Sequence, residues 1–596
     1  MSIRPKFGES AIDNETIANL FDETADLLEI TSSDRANPFR VRAYRNGARS
    51  VRSLSRPLAS SIRDANFKLT DISGIGKDLA GKILAILETG HFSLLDDLRR
   101  QVPASTRDLL NVPNIGPKRA RVLQHDLHIH SLDALYAAAS EHKLSACKGF
   151  GPTSEQKILA GLAHIQLTSG RMLVSEAKAL AAAVTKHMKS KAAVPGLGDL
   201  VIAGSYRRCK ETIGDLDLVV TCSNAKPVMD RLATFDSGSM ILGRGETKMA
   251  IRLKSGRQID LRVVPERSLG AALIYFTGSK AHNIVLRKIA ADRGLKLNEY
   301  GLYKNDEWIA GSTEHEIYRA LGLAWIPPEL REATGEIELA ATNRLPHLIE
   351  SGDIFGDLHL HTNVTDGRGS LADMVVAAQQ RHYKYIAITD HSRRVTVANG
   401  LDETRLRRHW HTIDQMQHKV SDIVLLKGIE LDILEDGKLD LSSGVLAEAD
   451  WVVGAIHYGQ RQSRMQMTKR IVNAMRTGLL NAIAHPTGRL IGQRPPYELD
   501  LEEVFRVASD CHCALEINGQ PTRLDLSEAA LNLASKYPVR FVVNSDAHAP
   551  EELAFMDFAV AQARRGGLEK HRVINACALT ELRSILKYTS SRAQSA

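Results

Sequence analysis

The 596-residue sequence lacks any apolar run long enough to cross a bilayer, which excludes a membrane-spanning helix. Its opening stretch, MSIRPKFGESAIDNET, lacks the apolar core and small-residue cleavage site of a secretory signal, so a cytoplasmic protein is expected. Low-complexity tracts are missing too. The six cysteines (Cys147, Cys209, Cys222, Cys511, Cys513 and Cys577) are scattered and form no disulfide framework, as a reducing compartment allows. Cys511 and Cys513 can be read as metal ligands, but a C-x-C in the strand-like run CHCALEI is more often core. What remains is a globular composition, 43% hydrophobic and 25% charged, in a chain too long for a single core. Several domains are expected.

Charge divides these domains into two groups. Residues 1–352 hold 48 Lys/Arg against 40 Asp/Glu, a balance of +8, and residues 353–596 hold 29 against 30, a balance of −1, which together make the +7 of the chain. A polyanion therefore belongs on the N-terminal part. That part begins with helical periodicity over residues 14–58, where Ile17, Leu20, Phe21, Leu27 and Leu28 share a face. A small unit then recurs three times: ISGIGKDLAGKILAIL (72–87), NVPNIGPKRARVLQ (111–124) and CKGFGPTSEQKILAGL (147–162). In each, a Gly-x-Gly-type turn precedes an amphipathic helix. Gly74, Gly76, Gly149 and Gly151 let the backbone approach a phosphate, and the N–H groups opening the next helix face its oxygens. The middle copy keeps Gly116 but has Asn114 at the first glycine position. A single copy reads equally well as an ordinary helix connection, whereas three in a basic region favour DNA-backbone binding without sequence readout. The units resemble helix-hairpin-helix motifs.

Residues 200–222, LVIAGSYRRCKETIGDLDLVVTC, read as strand, loop and strand. Asp215 and Asp217 alternate with Leu216 and Leu218, so both carboxylates project from one strand face. The segment RQIDLRVVP adds Asp260. Three convergent carboxylates call for neutralisation by two Mg²⁺ or Mn²⁺ ions, which can activate a hydroxyl and stabilise leaving pyrophosphate. Gly204 and Ser205 offer donors to a triphosphate, and Arg208 offers charge. D-x-D alone is common, but GSYRR-x5-GDLDLVV with a third Asp resembles the nucleotidyltransferase palm of X-family DNA polymerases. The segment YFTGSKAHNIVLRKIAADRGLKLNEYGLY looks like that family's thumb. The resemblance implies that Asp215, Asp217 and Asp260 hold the metal ions, and that Ser205, Arg208 and Gly214 hold the triphosphate. It places Tyr275, Phe276 and Gly278 at the sugar, Asn283 at the base edge and Arg287 at the template. It also implies gapped or primed duplex DNA and dNTPs as substrates. Lys82 aligns with the Schiff-base lysine of members that cleave abasic sites, although Arg40 and Asp78 replace neighbouring lysines.

After IPPELREATGEIELAATNRLPHLIESGDIF the pattern turns to apolar runs alternating with helical segments, as in an α/β barrel. The runs end in candidate ligands: His359 and His361, His391, Glu430, His457, His485, then Asp546 and His548. Asp366 lies in the first loop. Barrel-strand C-termini converge on one face. One such histidine would be an ordinary core residue, but six with three carboxylates require metal. The imidazole–carboxylate mixture suits two or three Zn²⁺ or Mn²⁺ ions, bridged by Glu430. This region resembles the PHP (polymerase and histidinol phosphatase) domain, a distorted βα barrel with a trinuclear site, and EINGQPTRLDL, with Asn518 and Arg523, matches its pattern. In bacterial X-family polymerases the PHP domain implies 3′–5′ exonuclease and 3′-end phosphatase activities.

The expected fold is thus multidomain, α+β and α/β. Helix-hairpin-helix regions span 1–95 and 96–170, the palm 171–265, the thumb 266–325, a linker 326–352, the PHP domain 353–580 and a C-terminal tail 581–596, whose last ten residues, KYTSSRAQSA, are expected to be disordered. The expected function is gap-filling repair synthesis with 3′-end processing by a monomer. Alternatives are a hydrolase with a DNA-end clamp, a small-metabolite phosphatase and a scaffold without catalysis.

Overall fold

A computed structural model describes residues 14–593 apart from 32–37, 53, 55–57, 63–66, 104–105, 108, 113–114, 146, 148, 169–170 and 191–193. Among the described residues no helix is long and apolar enough to cross a membrane.

The N-terminal region is helical. Helix Asn14–Thr31 buries Ile17, Phe21 and Leu27. Helix Pro38–Arg52 packs on it through Tyr44, edge-on to Phe21 at 5.6 Å. Arg45 and Arg52 of the second helix add ion pairs to Asp22 of the first. The repeats close as their glycines require. Gly74 and Gly149 take φ of +84° and +96°, and Gly76 and Gly116 cap helices Lys77–Thr89 and Pro117–His125 without a side chain over the helix end. A Cβ on Gly76, Gly116 or Gly151 would meet nothing within 4 Å, so these helix N-termini open outward. Asn114 lies outside the described residues.

The palm is a mixed sheet of five strands: β1 (Leu200–Ile202), β2 (Asp215–Thr221), β3 (Met240–Arg244), β4 (Lys248–Arg252) and β5 (Gln258–Val264), in the order β1-β2-β5-β4-β3. Leu216, Leu218, Ile259 and Leu261 fill the core on one side of β2 and β5. Period-2 alternation sends the polar positions of both strands to the other side.

The thumb follows, with helices Leu269–Thr277 and Lys280–Asp292 and a three-stranded antiparallel sheet. Residues 326–352 were expected as a linker, yet Ile326, Ile337 and Ala340 are buried in the thumb core. Several of its charges form internal ion pairs. Arg331 is wholly buried and donates to Glu314 at 2.7 and 3.1 Å. Glu314 also accepts from Arg207 of the palm at 2.7 Å and from the Trp325 indole at 3.0 Å.

In the C-terminal domain seven parallel strands stand in sequence order: β6 (Gly356–Leu360), β7 (Tyr385–Ile388), β8 (Val424–Asp432), β9 (Trp451–Ala455), β10 (Ala482–Ile483), β11 (Ala514–Asn518) and β12 (Phe541–Asn544). The ends of the sheet come together where Leu358 N–H donates to Asn544 Oδ1 at 3.0 Å and His361 N–H to the Ala547 carbonyl at 2.8 Å. Leu358, Tyr385, Trp451 and Val453 pack in one cluster, while Ile386, Val452, Ile483 and Leu515 face the surrounding helices. Burial on both faces is why these strands read as continuous apolar runs. Helix Leu579–Ala593 brings Leu582 and Leu586 against the first cluster, so a boundary at 580 falls inside it, and the helix runs to residue 593 through most of the stretch expected to be disordered.

Replacing Glu314 with alanine leaves buried Arg331 uncompensated and is expected to cost about 3–5 kcal/mol. Thermal or urea unfolding of the variant measures this, and a loss under about 1 kcal/mol, the worth of a surface pair, would contradict the assignment.

Candidate metal centres and nucleotide site

In the palm, β2 and β5 run parallel with Asp217 opposite Asp260 and Asp215 opposite Gln258. One carboxylate oxygen from each of Asp215, Asp217 and Asp260 lies within 4.8 Å of the others, so the three expected ligands converge. The backbone closes over them at Gly204 (φ +63°), where a Cβ would sit 2.1 Å from Asp217 Oδ2. Only glycine lets the chain pass that close to the carboxylate. Burial, then the charges of Asp215 and Asp260, push the Asp217 pKa up to about 7 against the pull of Arg208 and Arg262. Burial also raises Asp260. A divalent cation relieves such crowding directly.

The nucleotide residues fall into two groups. Tyr275, Asn283 and Arg287 line one hollow, together with Ile274 and Asn298. Asn283 Nδ2 donates to the Tyr275 carbonyl at 2.8 Å, and its Oδ1 is buried without a hydrogen-bond partner. Arg208 adjoins Gly278, where a Cβ would come within 3.1 Å of the guanidinium. Arg208 Nε lies 3.1 Å from Glu332, and its guanidinium also donates to the Thr277 carbonyl. Ser205 follows Gly204 in the short helix Gly204–Arg207. Phe276 and Gly214 sit among contacts of the protein itself. Phe276 meets Tyr275 edge-on at 5.0 Å but packs beside the palm under Arg262, and Gly214 makes room for Arg171, whose guanidinium would lie 3.0 Å from a Cβ there. Lys82 pairs with Asp78 and lies 5.3 Å from the Tyr44 ring centroid. Despite burial, which opposes the charge, Asp78 holds Lys82 above its usual pKa, and an ammonium so held is a poor Schiff-base nucleophile.

In the barrel all nine expected ligands meet at the strand C-termini. They form overlapping groups: His361, Asp366, His391 and His548; His359, His361 and Asp546; and His391, Glu430 and His457. His485 joins through Nε2, 3.1 Å from Glu430 Oε1. Two ligands sit in left-handed backbone, His485 at φ +28° and Asp546 at φ +54°, strain of the kind functional sites retain. His391 Nδ1 and Glu430 Oε2 are 2.7 Å apart. Even so, those two atoms, His359 Nε2 and both ring nitrogens of His361 are buried without hydrogen-bond partners. Close, buried donors lacking hydrogen-bond directionality fit ligands sharing cations, so the residue set suits two or three ions. Burial opposes ionisation of Glu430, yet His391, His457 and His359 hold it well below the usual range, as a bridging carboxylate needs.

The sequence reading missed the residues that aim these ligands. Glu516 is fully buried and takes His359 Nδ1 at 2.6 Å, His485 N–H at 2.7 Å and the side-chain amides of Asn518 and Asn544 at 3.0 and 2.9 Å. Binding His359 through Nδ1 leaves Nε2 toward the metal site. Asp432 does the same for His457 at 3.2 Å. The signal was available for Glu516, which alternates with Asn518 in ALEIN and shares its strand face. Arg523 lies near His485, whose pKa burial and then this cation lower.

The sequence matches several family descriptions in order: helix-hairpin-helix domain over 12–92, SAM-like helix-hairpin-helix tandem over 106–163, DNA polymerase beta palm over 171–242, DNA polymerase beta thumb over 272–332 and PHP domain over 357–553. It is 35% identical to the DNA polymerase/3′-5′ exonuclease PolX of Bacillus subtilis (strain 168), covering 96% of this chain and 99% of that protein. DNA polymerase lambda of Rattus norvegicus is 27% identical over 52% of this chain and 55% of its own length. A protein named probable phosphatase in Vibrio parahaemolyticus is 26% identical over 40% of this chain and 93% of its own length.

Metal uptake by the palm must displace the Asp217 proton, so Mn²⁺ affinity is expected to rise as pH passes upward through about 7 and then level off. Calorimetric titration in two buffers of different ionisation enthalpy reads the released proton, and a pH-independent affinity would contradict it. In the barrel, Glu516→Ala should lower metal affinity roughly 10–100-fold, measured as metal retained after dialysis against a chelator. Full retention would assign Glu516 to packing alone.

Proposed function

The chain belongs to the family of bacterial X-family DNA polymerases joined to a C-terminal PHP domain, the PolX family, and from this we propose that it fills short gaps in DNA and trims 3′ ends. The observation that carries the polymerase reading is the register of Asp217 opposite Asp260, with Asp215 on the same face and Gly204 tight against it. The substrates are gapped or primed duplex DNA and dNTPs. The repeats around Gly74, Gly76, Gly116, Gly149 and Gly151 hold the duplex by its phosphates. We assign DNA-end binding to residues 1–95, further duplex contacts to 96–170, nucleotidyl transfer to 171–265 and nucleotide placement to the thumb from 266. Residues 326–352 go with the thumb and 353–580 with the phosphoesterase.

In the palm, Arg208 meets the triphosphate with charge, while Ser205 and the Gly204 backbone donate to its oxygens. Tyr275 and Gly278 shape the sugar site, Asn283 offers an amide to the base edge and Arg287 faces the template. Mg²⁺ or Mn²⁺ held by Asp215, Asp217 and Asp260 would activate the primer hydroxyl and balance charge on departing pyrophosphate. In the PHP domain the nine ligands would hold Zn²⁺ or Mn²⁺. Arg523 brings a cation to the same face, where it would meet the phosphodiester. Positioning and charge neutralisation supply most of the catalysis in such transfers. The six free cysteines suit a monomeric cytoplasmic enzyme.

Full-length protein on a labelled one-nucleotide-gapped duplex should add one nucleotide with dNTPs and shorten the 3′ end without them. Asp217→Ala should abolish extension and spare shortening, and His359→Ala should do the reverse. Joint loss in either variant would contradict two separate sites. Shortening by the wild type without extension under either metal would favour a hydrolase that uses the palm only to hold DNA.

A further inference from the structure

The palm loop that carries Arg208 does not stand alone. Its backbone carbonyl accepts from Arg565 Nη1 at 2.5 Å, and Arg565 belongs to helix Met556–Arg565 of the PHP domain. The Arg565 side chain is only 1% exposed, so this is an internal contact between the domains. Its guanidinium also reaches Glu332 at 3.4 Å and pairs with Glu528. Glu332 further takes Arg208 Nε at 3.1 Å and Lys210 Nζ at 3.0 Å, and Lys210 reaches Glu528 at 3.3 Å. Between the two cations, Cys209 holds a left-handed φ of +54°, a conformation that needs anchoring from both sides.

Counting charge gives this cluster a direction. Three cations (Arg208, Lys210 and Arg565) share two carboxylates (Glu332 and Glu528). Burial opposes the charge on Glu332, but Arg208, Lys210 and Arg565 keep it ionised. With Arg565 present, Glu332 divides its attraction and Arg208 retains net positive charge beside the metal-binding carboxylates. Without Arg565 the count becomes two against two, and Glu332 draws Arg208 fully to itself.

We propose that Arg565 of the PHP domain is a positioning residue for the polymerase site: it fixes the 208–210 loop through the Arg208 carbonyl and shares Glu332 with Arg208, so that Glu332 holds Arg208 less strongly and a nucleotide triphosphate can compete for it. This rests on the reading of the palm given above. The domain that trims 3′ ends thereby sets the nucleotide affinity of the domain that extends them.

The test uses full-length protein and one-nucleotide-gapped DNA. With a dideoxy-terminated primer, the Kd of the complementary dNTP is measured directly; with an extendable primer, KM and kcat are separated. Arg565→Met should weaken dNTP binding roughly tenfold, the scale of a lost charged hydrogen bond, with KM rising more than kcat falls. Arg565→Lys should recover part of the loss. Adding Glu332→Gln to Arg565→Met should restore affinity, because the competing carboxylate is gone, an outcome that a purely structural role does not produce. Unchanged dNTP affinity in Arg565→Met would overturn the proposal. So would a loss that Glu332→Gln does not relieve and that comes with a lower unfolding midpoint and equally weakened 3′ shortening. A wild type that binds dNTP without extending would sink the polymerase reading, while leaving the effect of Arg565 on affinity measurable.

Discussion

Like charge held together at the ends of parallel strands is the constraint on which the rest of this structure depends. Parallel pairing sets Asp217 beside Asp260 in the palm and brings ligands from successive barrel strands to one rim. Neither arrangement is comfortable by itself. The palm answers with a raised Asp217 pKa and the nearby charges of Arg208 and Arg262, and the barrel interleaves imidazoles with carboxylates. Divalent cations meet the same need, and their chemistry suits phosphoryl transfer in one site and phosphoester hydrolysis in the other.

A second layer of charge aims the first. Glu516 and Asp432 hold His359 and His457 by the nitrogen that faces away from the metal site. Glu314 joins Arg207 of the palm to Arg331 of the thumb, and the Arg565 cluster joins palm, thumb and PHP domain. Buried ion pairs contribute little net stability compared with apolar packing, but breaking one is costly, so they fix geometry. The chain uses them where one domain must hold a residue of another in place.

Much of this was legible in the residue order. Strand alternation around Leu216 and Leu218 placed Asp215 and Asp217 on one face, and nearly every apolar run after residue 353 ended in a candidate ligand. These signals survive because they are local: a strand's period and its C-terminal residue are set within a few positions. The misreadings were of another kind. The stretch after Ile326 reads as a linker because the buried partners of its charges lie in other elements, Glu314 for Arg331 and His282 for Glu336. The boundary at 580 fell inside a helix because Leu582 and Leu586 gain a partner only once the barrel has closed.

The sequence by itself determined the order of domains, the two candidate metal-ligand sets and the glycine turns, because each depends on spacing within one strand, loop or helix. Tertiary structure alone decided which ring nitrogen of His359 and of His457 is held by a carboxylate, why Gly204 must be glycine beside Asp217, and that a PHP-domain arginine donates to the Arg208 carbonyl of the palm. Those facts depend on distances between residues 13 to 357 positions apart, as from Gly204 to Asp217 and from Arg208 to Arg565. No local pattern records such distances, because side chains meet across them only after the cores have packed.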